Sequence, residues 1–566
     1  MTNHFFCIRF LLVLCSFMSF LTAQADQLFL NALIYTMETQ SPKVSAMAIQ
    51  GTKILYVGEE SGAKALMGPQ TVVYDVQGKV ILPGFIDAHN HLVWSGTEQE
   101  DLDLASIETL EELLKTIQQY AEQNPAALWI RGSGWSMVSF PENTLTKELL
   151  DKILPERPAY FTSEDSHSVW INSKALELSG IHKESPEPSN GRIERNTEGE
   201  PTGLLREDAM DIVQAFLPDY SEVQVDAGLS KALQKAASYG ITTIFDPAVE
   251  PWMLEGYRRF EQKNQLSLRV RAAVPIKADE DIKEQIKEIL DIQTTFQSEQ
   301  IKVLGAKFYI DGVIESKTAF MLEPYLDGSN GKSSFTQENL NTFVVALDQS
   351  QLELHAHVIG DGAVRQMLDA IEFMQQQNPP RDRRPQLVHL EVIHPDDIAR
   401  FQSLQVIANF QGLWAYPDPY ITELTEPIIG PERSKWLYPI GAVLQKGGRI
   451  AGGSDWSVSS MNPFEAIQTG VTREDWEDPK STVLTPEHRV SVQEMIKAYT
   501  VEASYACFLE KETGSLSAGK LADFIIMDQD PFEIEAHQLV NTKILSTFFS
   551  GKEVFRHSDY TPLVIK

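Results

Sequence analysis

Asp87-Ala88-His89-Asn90-His91 follows a short apolar run, and strand alternation sends His89 and His91 to the same side, where two imidazoles can meet one metal ion. A lone His-X-His pair is weak evidence, because short motifs recur by chance. What strengthens it is company: Lys307 and Asp311, His355 and His357, His389, and Asp455 in Gly-Gly-Ser-Asp-Trp all follow other short apolar runs. Of the 12 histidines in the chain, five occupy such places. Ligand-type residues converging on the ends of several strands are the mark of a metal centre at one face of a barrel.

The elements that must position these residues can be read from pattern. Between 81 and 500 short apolar strands alternate with helical stretches, as βαβ units do. Strand candidates are Val80 to Ala88, Ile241 to Asp246, Leu268 to Val274, Val303 to Ile310, Leu352 to Val358, Leu387 to Val392, Val406 to Phe410 and Ile450 to Ser454. These are as many as a closed (β/α)8 barrel needs. Leu92 to Tyr239, about 150 residues, exceeds what one crossover helix requires and reads as an insertion on the barrel's C-terminal face, a source of substrate-contacting walls or a lid. Residues 26–80 read as short strands with turns at Gly51, Gly58 and Gly78, and Phe524 to Met527 and Ser546 to Phe555 read the same way. The expected fold is therefore α/β: a TIM barrel over 81–505 with an insertion at 92–240 after the first strand. A small β-sandwich-like domain is expected from both chain ends, 26–80 and 506–566.

Whole-chain composition narrows the function. The formal charge of −31, from 48 basic and 79 acidic side chains in 566 residues, would repel a phosphate backbone and argues against nucleic acid as a partner. Arg9, the apolar run Phe10 to Leu21 and Ala23-Gln24-Ala25 match a signal peptide over 1–25, so an exported chain, periplasmic or secreted, is expected. No later stretch approaches a membrane span, and no membrane partner is expected after leader cleavage. Cys7 and Cys15 lie in that leader, with a context around Cys15 that fits a lipoprotein box poorly, so Cys507 alone remains and no internal disulfide is available. A homodimer is compatible with the sequence.

Three segments carry a resemblance. Ile-Leu-Pro-Gly-Phe-Ile-Asp-Ala-His-Asn-His, Gly-Ser-Asp at 453–455 and Gly-Ser-Leu-Ser-Ala-Gly-Lys-Leu-Ala-Asp-Phe at 514–524 resemble the amidohydrolase superfamily. Lys307-Phe-Tyr-Ile-Asp-Gly, His357-Val-Ile-Gly-Asp-Gly-Ala-Val and Asp165-Ser-His-Ser-Val-Trp-Ile-Asn-Ser-Lys-Ala-Leu resemble its family 3 branch, which includes N-substituted formamide deformylases. The resemblance implies that His89 and His91 ligate one metal, His357 and His389 another, and that Asp455 ligates while serving as the proton-shuttling base. Some relatives carboxylate the lysine at this place so that it bridges two ions, the role the resemblance implies for Lys307; an uncarboxylated Lys307 paired with Asp311 or Glu315 is the alternative. His355 competes with His357, which is preferred as the one nearer the strand end. His389 follows Val388 where many relatives carry Glu, a departure that touches an outer contact and not the ligand.

One or two divalent ions would lower the pKa of bound water and polarise a carbonyl, giving a hydroxide nucleophile. His and carboxylate ligands suit zinc, the ion expected, as well as iron and manganese. His167, Asp311, Trp135 and Trp456 are candidate substrate contacts; core packing is the competing reading for both tryptophans, and a satisfied structural histidine that for His167. The expected substrate is a small molecule, hydrolysed at a carbon-nitrogen bond other than a peptide bond in an amide, formamide or N-acylated amine. Deamination or ring opening of a cyclic amide, and a catalytically silent metal- or ligand-binding barrel, are the alternatives.

Overall fold

The computed structural model describes residues 24–566 apart from 142, 189 and 479; residues 1–23 of the expected leader, with Cys7 and Cys15, lie outside the described residues, while Ala25 at its end begins a strand. Eight parallel strands follow one another around a barrel: β1 (Phe85–Asp87), β2 (Ile241–Asp246), β3 (Arg269–Pro275), β4 (Ile301–Tyr309), β5 (Glu353–Val358), β6 (Gln386–His389), β7 (Ile407–Phe410) and β8 (Arg449–Gly452). The Ala88 amide donates to the Gly452 carbonyl at 2.9 Å and joins the ends of β1 and β8. This is a TIM barrel, with each strand buried on both faces as an all-parallel sheet demands.

The helices outside it form for local reasons. In Gln337–Gln349, for instance, Thr336 caps the first turn by accepting from the Asn339 amide, and Leu340, Phe343, Val344 and Leu347 place one apolar stripe against the barrel. Burying such a stripe supplies most of the stability of a helix this short.

One boundary differs from the sequence reading. Val80–Pro83 does not enter the barrel; it pairs with Leu33–Tyr35 and with Phe524–Met527 in a six-stranded sheet of the terminal module. The chain changes sheets at Pro83-Gly84. Gly84 is needed there because a Cβ would lie 2.4 Å from Thr242 Oγ1. Strands from both chain ends interleave in the two sheets of that module, and Phe29, Phe524 and Phe548 meet in its core, Phe524 stacked on Phe548 at 4.4 Å. Arg269 of β3 donates to Asp523 at 2.5 Å, a buried ion pair that anchors module to barrel.

The insertion has a sheet of its own, in the order Gly191–Arg195, Pro201–Glu207, Ser168–Ile171, Ala159–Ser163, Ile130–Trp135, Leu102–Asp103. Helix Leu110–Gln123 covers it with Leu113, Ile117 and Ala121, which pack in one cluster with Trp135, Phe161 and Trp170. The insertion leaves the barrel through helix Leu92–Glu98, directly after His91, and returns through helix Glu222–Ser238. These two helices touch at Gly96 and Gly228, where a Cβ on Gly228 would sit 2.3 Å from the Gly96 carbonyl oxygen. No helix among the described residues is long and apolar enough to cross a membrane.

Candidate metal centre

Strand register brings the polar residues to one rim. Lys307 of β4 lies opposite His355 of β5, Tyr309 opposite His357, and Val358 opposite His389. Residues two apart on a strand share a face, so Lys307 with Tyr309, and His355 with His357, point to the same side. At the ends of β6 and β8 the backbone turns through left-handed conformations, φ +75° at His389 and +54° at Asp455, which are strained for residues with a Cβ. The strain is held in place: the Asp455 amide donates to the His89 carbonyl at 2.8 Å. Asp87 fastens the same two loops, accepting from the Ser454 amide, the Ser454 hydroxyl and the Asn90 side chain.

Asp455 is the hub. Its Oδ1 lies 3.2 Å from His89 Nε2 and 3.3 Å from His91 Nε2, and its Oδ2 lies 3.8 Å from His389 Nδ1. The ligand atoms of His89, His91 and Asp455 all fall within 4.8 Å of one another. His357 stands beside them, its ring centroid 4.5 Å from that of His389. Gln411 Oε1 meets His389 Nδ1 at 2.9 Å, and Trp414 lies flat against the same ring at 5.6 Å.

Whether this group suits a cation is decided by the atoms it leaves unpaired. His89 Nε2 and both ring nitrogens of His357 are buried without a hydrogen-bond partner. Buried polar atoms are rarely left so, and a divalent ion is the partner that neutral imidazoles and a carboxylate would satisfy together. Burial holds the His89 imidazolium down to about 3 and keeps His357 and His389 neutral, the protonation state a ligand requires.

Lys307 is 1 % exposed, makes no ion pair among the described residues, and rests its ammonium 4.8 Å from the centroid of the Tyr309 ring. Burial lowers it to about 7, with Asp455 opposing. His355 turns away from the rim: its Nε2 meets His89 Nδ1 at 2.8 Å, behind the face that His89 presents to Asp455. The insertion delivers His167 over the rim, its ring 5.3 Å from that of His357 and its Nδ1 2.7 Å from Glu207 Oε2. Burial alone would lower His167, but Glu207 raises it to about 9.

Three candidate substrate contacts are corrected. Asp311 is 1 % exposed and its carboxyl is occupied by the amides of Phe320, Ile359 and Gly360, so it pins the loops after β4 and β5. Trp135, 1 % exposed, donates its indole N–H to the Phe161 carbonyl inside the insertion's core. Trp456 is 2 % exposed within the barrel core, and only its carbonyl serves the rim, accepting from the His91 amide. Residues the sequence did not single out are Glu207, Gln411, Trp414, the half-exposed Tyr309 and Glu391; Glu391 meets Glu315, considered above as a partner for Lys307, at the Thr425 hydroxyl. Burial pushes Glu315 to about 7 and Glu391 well above the usual carboxylate range. Apart from Tyr309, which lies in the Lys307-Phe-Tyr-Ile-Asp-Gly segment, none belongs to a motif quoted above, and the fold makes them neighbours.

With this geometry in hand, comparison with known proteins is informative. A model described as "Amidohydrolase family" matches residues 72–555. The chain belongs to the amidohydrolase family. It is 30 % identical over 551 residues to "Protein LONG AFTER FAR-RED 3" of Arabidopsis thaliana, covering 94 % of this chain and 92 % of that one. It is 26 % identical over 543 residues to "N-substituted formamide deformylase" of Arthrobacter pascens, covering 94 % and 98 %. Among solved structures it is similar to an uncharacterized metal-dependent hydrolase from Pyrococcus horikoshii, with TM-score 0.71, 22 % identity and coverage of 90 % and 99 %, a likeness of fold. Membership makes this amidohydrolase a metal-dependent hydrolase, and the residues at the rim fit that chemistry.

Proposed function

We propose that this amidohydrolase cleaves a carbon-nitrogen bond other than a peptide bond in a small amide, formamide or N-acylated amine, with zinc as its ion. The observation that carries the reading is Asp455, a buried carboxyl group 3.2 and 3.3 Å from two imidazole nitrogens at the C-terminal rim of the barrel. His89, His91 and Asp455, with His357 and His389 beside them, would hold the metal. When bound, a divalent ion there lowers the pKa of water and polarises the substrate carbonyl.

The chain's own groups supply the rest. In the overall reaction water adds to the carbonyl carbon, the C–N bond breaks, and the products are a carboxylic acid and an amine. Asp455 takes the proton from the attacking water and returns it to the leaving nitrogen, which departs poorly as an anion. His167, held protonated by Glu207, donates toward the oxygen that becomes negative at the tetrahedral stage. Lys307, lowered to about 7, offers a free amine that adds to CO2 to give a carbamate and a proton, supplying the bridging carboxylate that the resemblance implies.

The formamide deformylase likeness supports a formamide or a related acylated amine. The test is a screen of N-alkyl formamides and acetamides against cyclic amides and amino-heterocycles, with wild type and Asp455→Asn. Turnover of the open-chain amides, reduced by about 10³-fold or more in Asp455→Asn, is expected for loss of the proton shuttle together with a metal ligand. Turnover confined to cyclic substrates, or full activity in the variant, overturns the reading.

A further inference from the structure

We infer that His355 is the positioning residue that fixes the tautomer of His89 and thereby frees the nitrogen of His89 that faces Asp455. His89 presents Nε2 to Asp455 at 3.2 Å and Nδ1 to His355 Nε2 at 2.8 Å. The two rings have centroids 5.0 Å apart and planes within 22°, the geometry of imidazoles meeting head-on through nitrogen. A neutral imidazole carries one N–H. For Nε2 of His89 to offer a lone pair to a cation, the proton must sit on Nδ1, so Nδ1–H donates and His355 Nε2 accepts. The proton of His355 is then on its own Nδ1, an atom that is buried without a partner.

The structure tolerates that unsatisfied donor, and the ring is held for its role. Phe245 stacks on His355 at 4.5 Å with planes 12° apart, and the side chain is 1 % exposed, so the ring cannot swing away. Metal-binding histidines ordinarily give their second N–H to a carboxylate or a backbone carbonyl. Here a neutral ring does it, and the strand register supplies the reason. Residue 355 lies opposite Lys307, which has no ion-pair partner among the described residues. A carboxylate at this place would capture Lys307 as an ammonium; a neutral acceptor orients His89 and leaves the amine unclaimed.

The inference rests on the metal reading of the site, and its test reads affinity and not turnover. Zinc affinity is measured by competition with a chromophoric chelator for wild type, His355→Phe and His355→Gln, with thermal unfolding of the metal-free proteins as a control for folding. His355→Phe removes the acceptor and is expected to weaken zinc about 10-fold to 100-fold, the range seen for outer-shell partners of metal-binding histidines. His355→Gln, whose amide oxygen can accept from His89, is expected to recover most of the loss. If the Phe variant does not fold, His355→Leu provides the same contrast. Wild type that binds no zinc overturns the metal reading and this inference with it. Wild type that binds zinc while the apolar variant binds equally well, or a folded Gln variant as weak as the apolar one, overturns this inference alone.

Discussion

Glu98 offers a test of the joint between barrel and insertion. It ends the helix that begins directly after His91, where a negative charge opposes the helix dipole, and it is partly buried. Burial first, and then the charge of Asp101, push its carboxyl from an ordinary 4.5 to about 7. The folded chain therefore keeps a proton between those pH values that the unfolded chain has released. The stabilising contribution is complete below about pH 4.5 and is lost as pH rises through about 7. The interval corresponds to about 3 kcal/mol at 1.4 kcal/mol per tenfold, and partial exposure reduces it to about 2 kcal/mol. Glu98→Gln imitates the protonated acid. Unfolding followed by calorimetry should give nearly equal midpoints for wild type and variant at about pH 4, and a variant more stable by a few degrees at about pH 8. A wild type as stable as the variant at the higher pH, or a difference largest in acid, would refute the reasoning.

Other consequences follow from the same geometry. Glu207→Gln removes the charge that holds His167 protonated at 2.7 Å; kcat/KM should fall about 10-fold to 100-fold while metal content, read by mass spectrometry of the elements, stays at the wild-type level. Gly228→Ala places a methyl group 2.3 Å from the Gly96 carbonyl oxygen, a backbone atom that cannot rotate away, so the two helices must separate. A loss of about 1–3 kcal/mol in denaturant unfolding is expected, with weaker metal binding because the displaced helix starts at His91.

The barrel was legible because parallel strands buried on both faces are short apolar runs between helical patterns, and each of the eight runs contains or overlaps a barrel strand. The His-X-His pair and the preference for His357 over His355 came from strand alternation and from distance to the strand end, which are local properties. The switch of sheets at Pro83-Gly84 was marked in the sequence by the Pro-Gly pair itself, but apolar residues run on both sides of it, and only the pairing partners show that the two halves join different sheets. Asp311 was misread, and the place of Trp135 left open between pocket and core, for a related reason. A tryptophan in an apolar pocket and one in a core have the same sequence context, and the three amides around Asp311 come from loops elsewhere in the chain. Glu207 lies 40 residues from the His167 it charges, with nothing between them to announce the pairing.

A determination of the bound ion reaches the core of the account. Crystals of protein grown with zinc and measured on both sides of the zinc absorption edge should show anomalous density within bonding distance of His89 Nε2, His91 Nε2 and Asp455, and removal of that zinc by chelation should abolish amide hydrolysis until it is restored. Density located elsewhere, or undiminished hydrolysis by protein stripped of divalent metal, would contradict it.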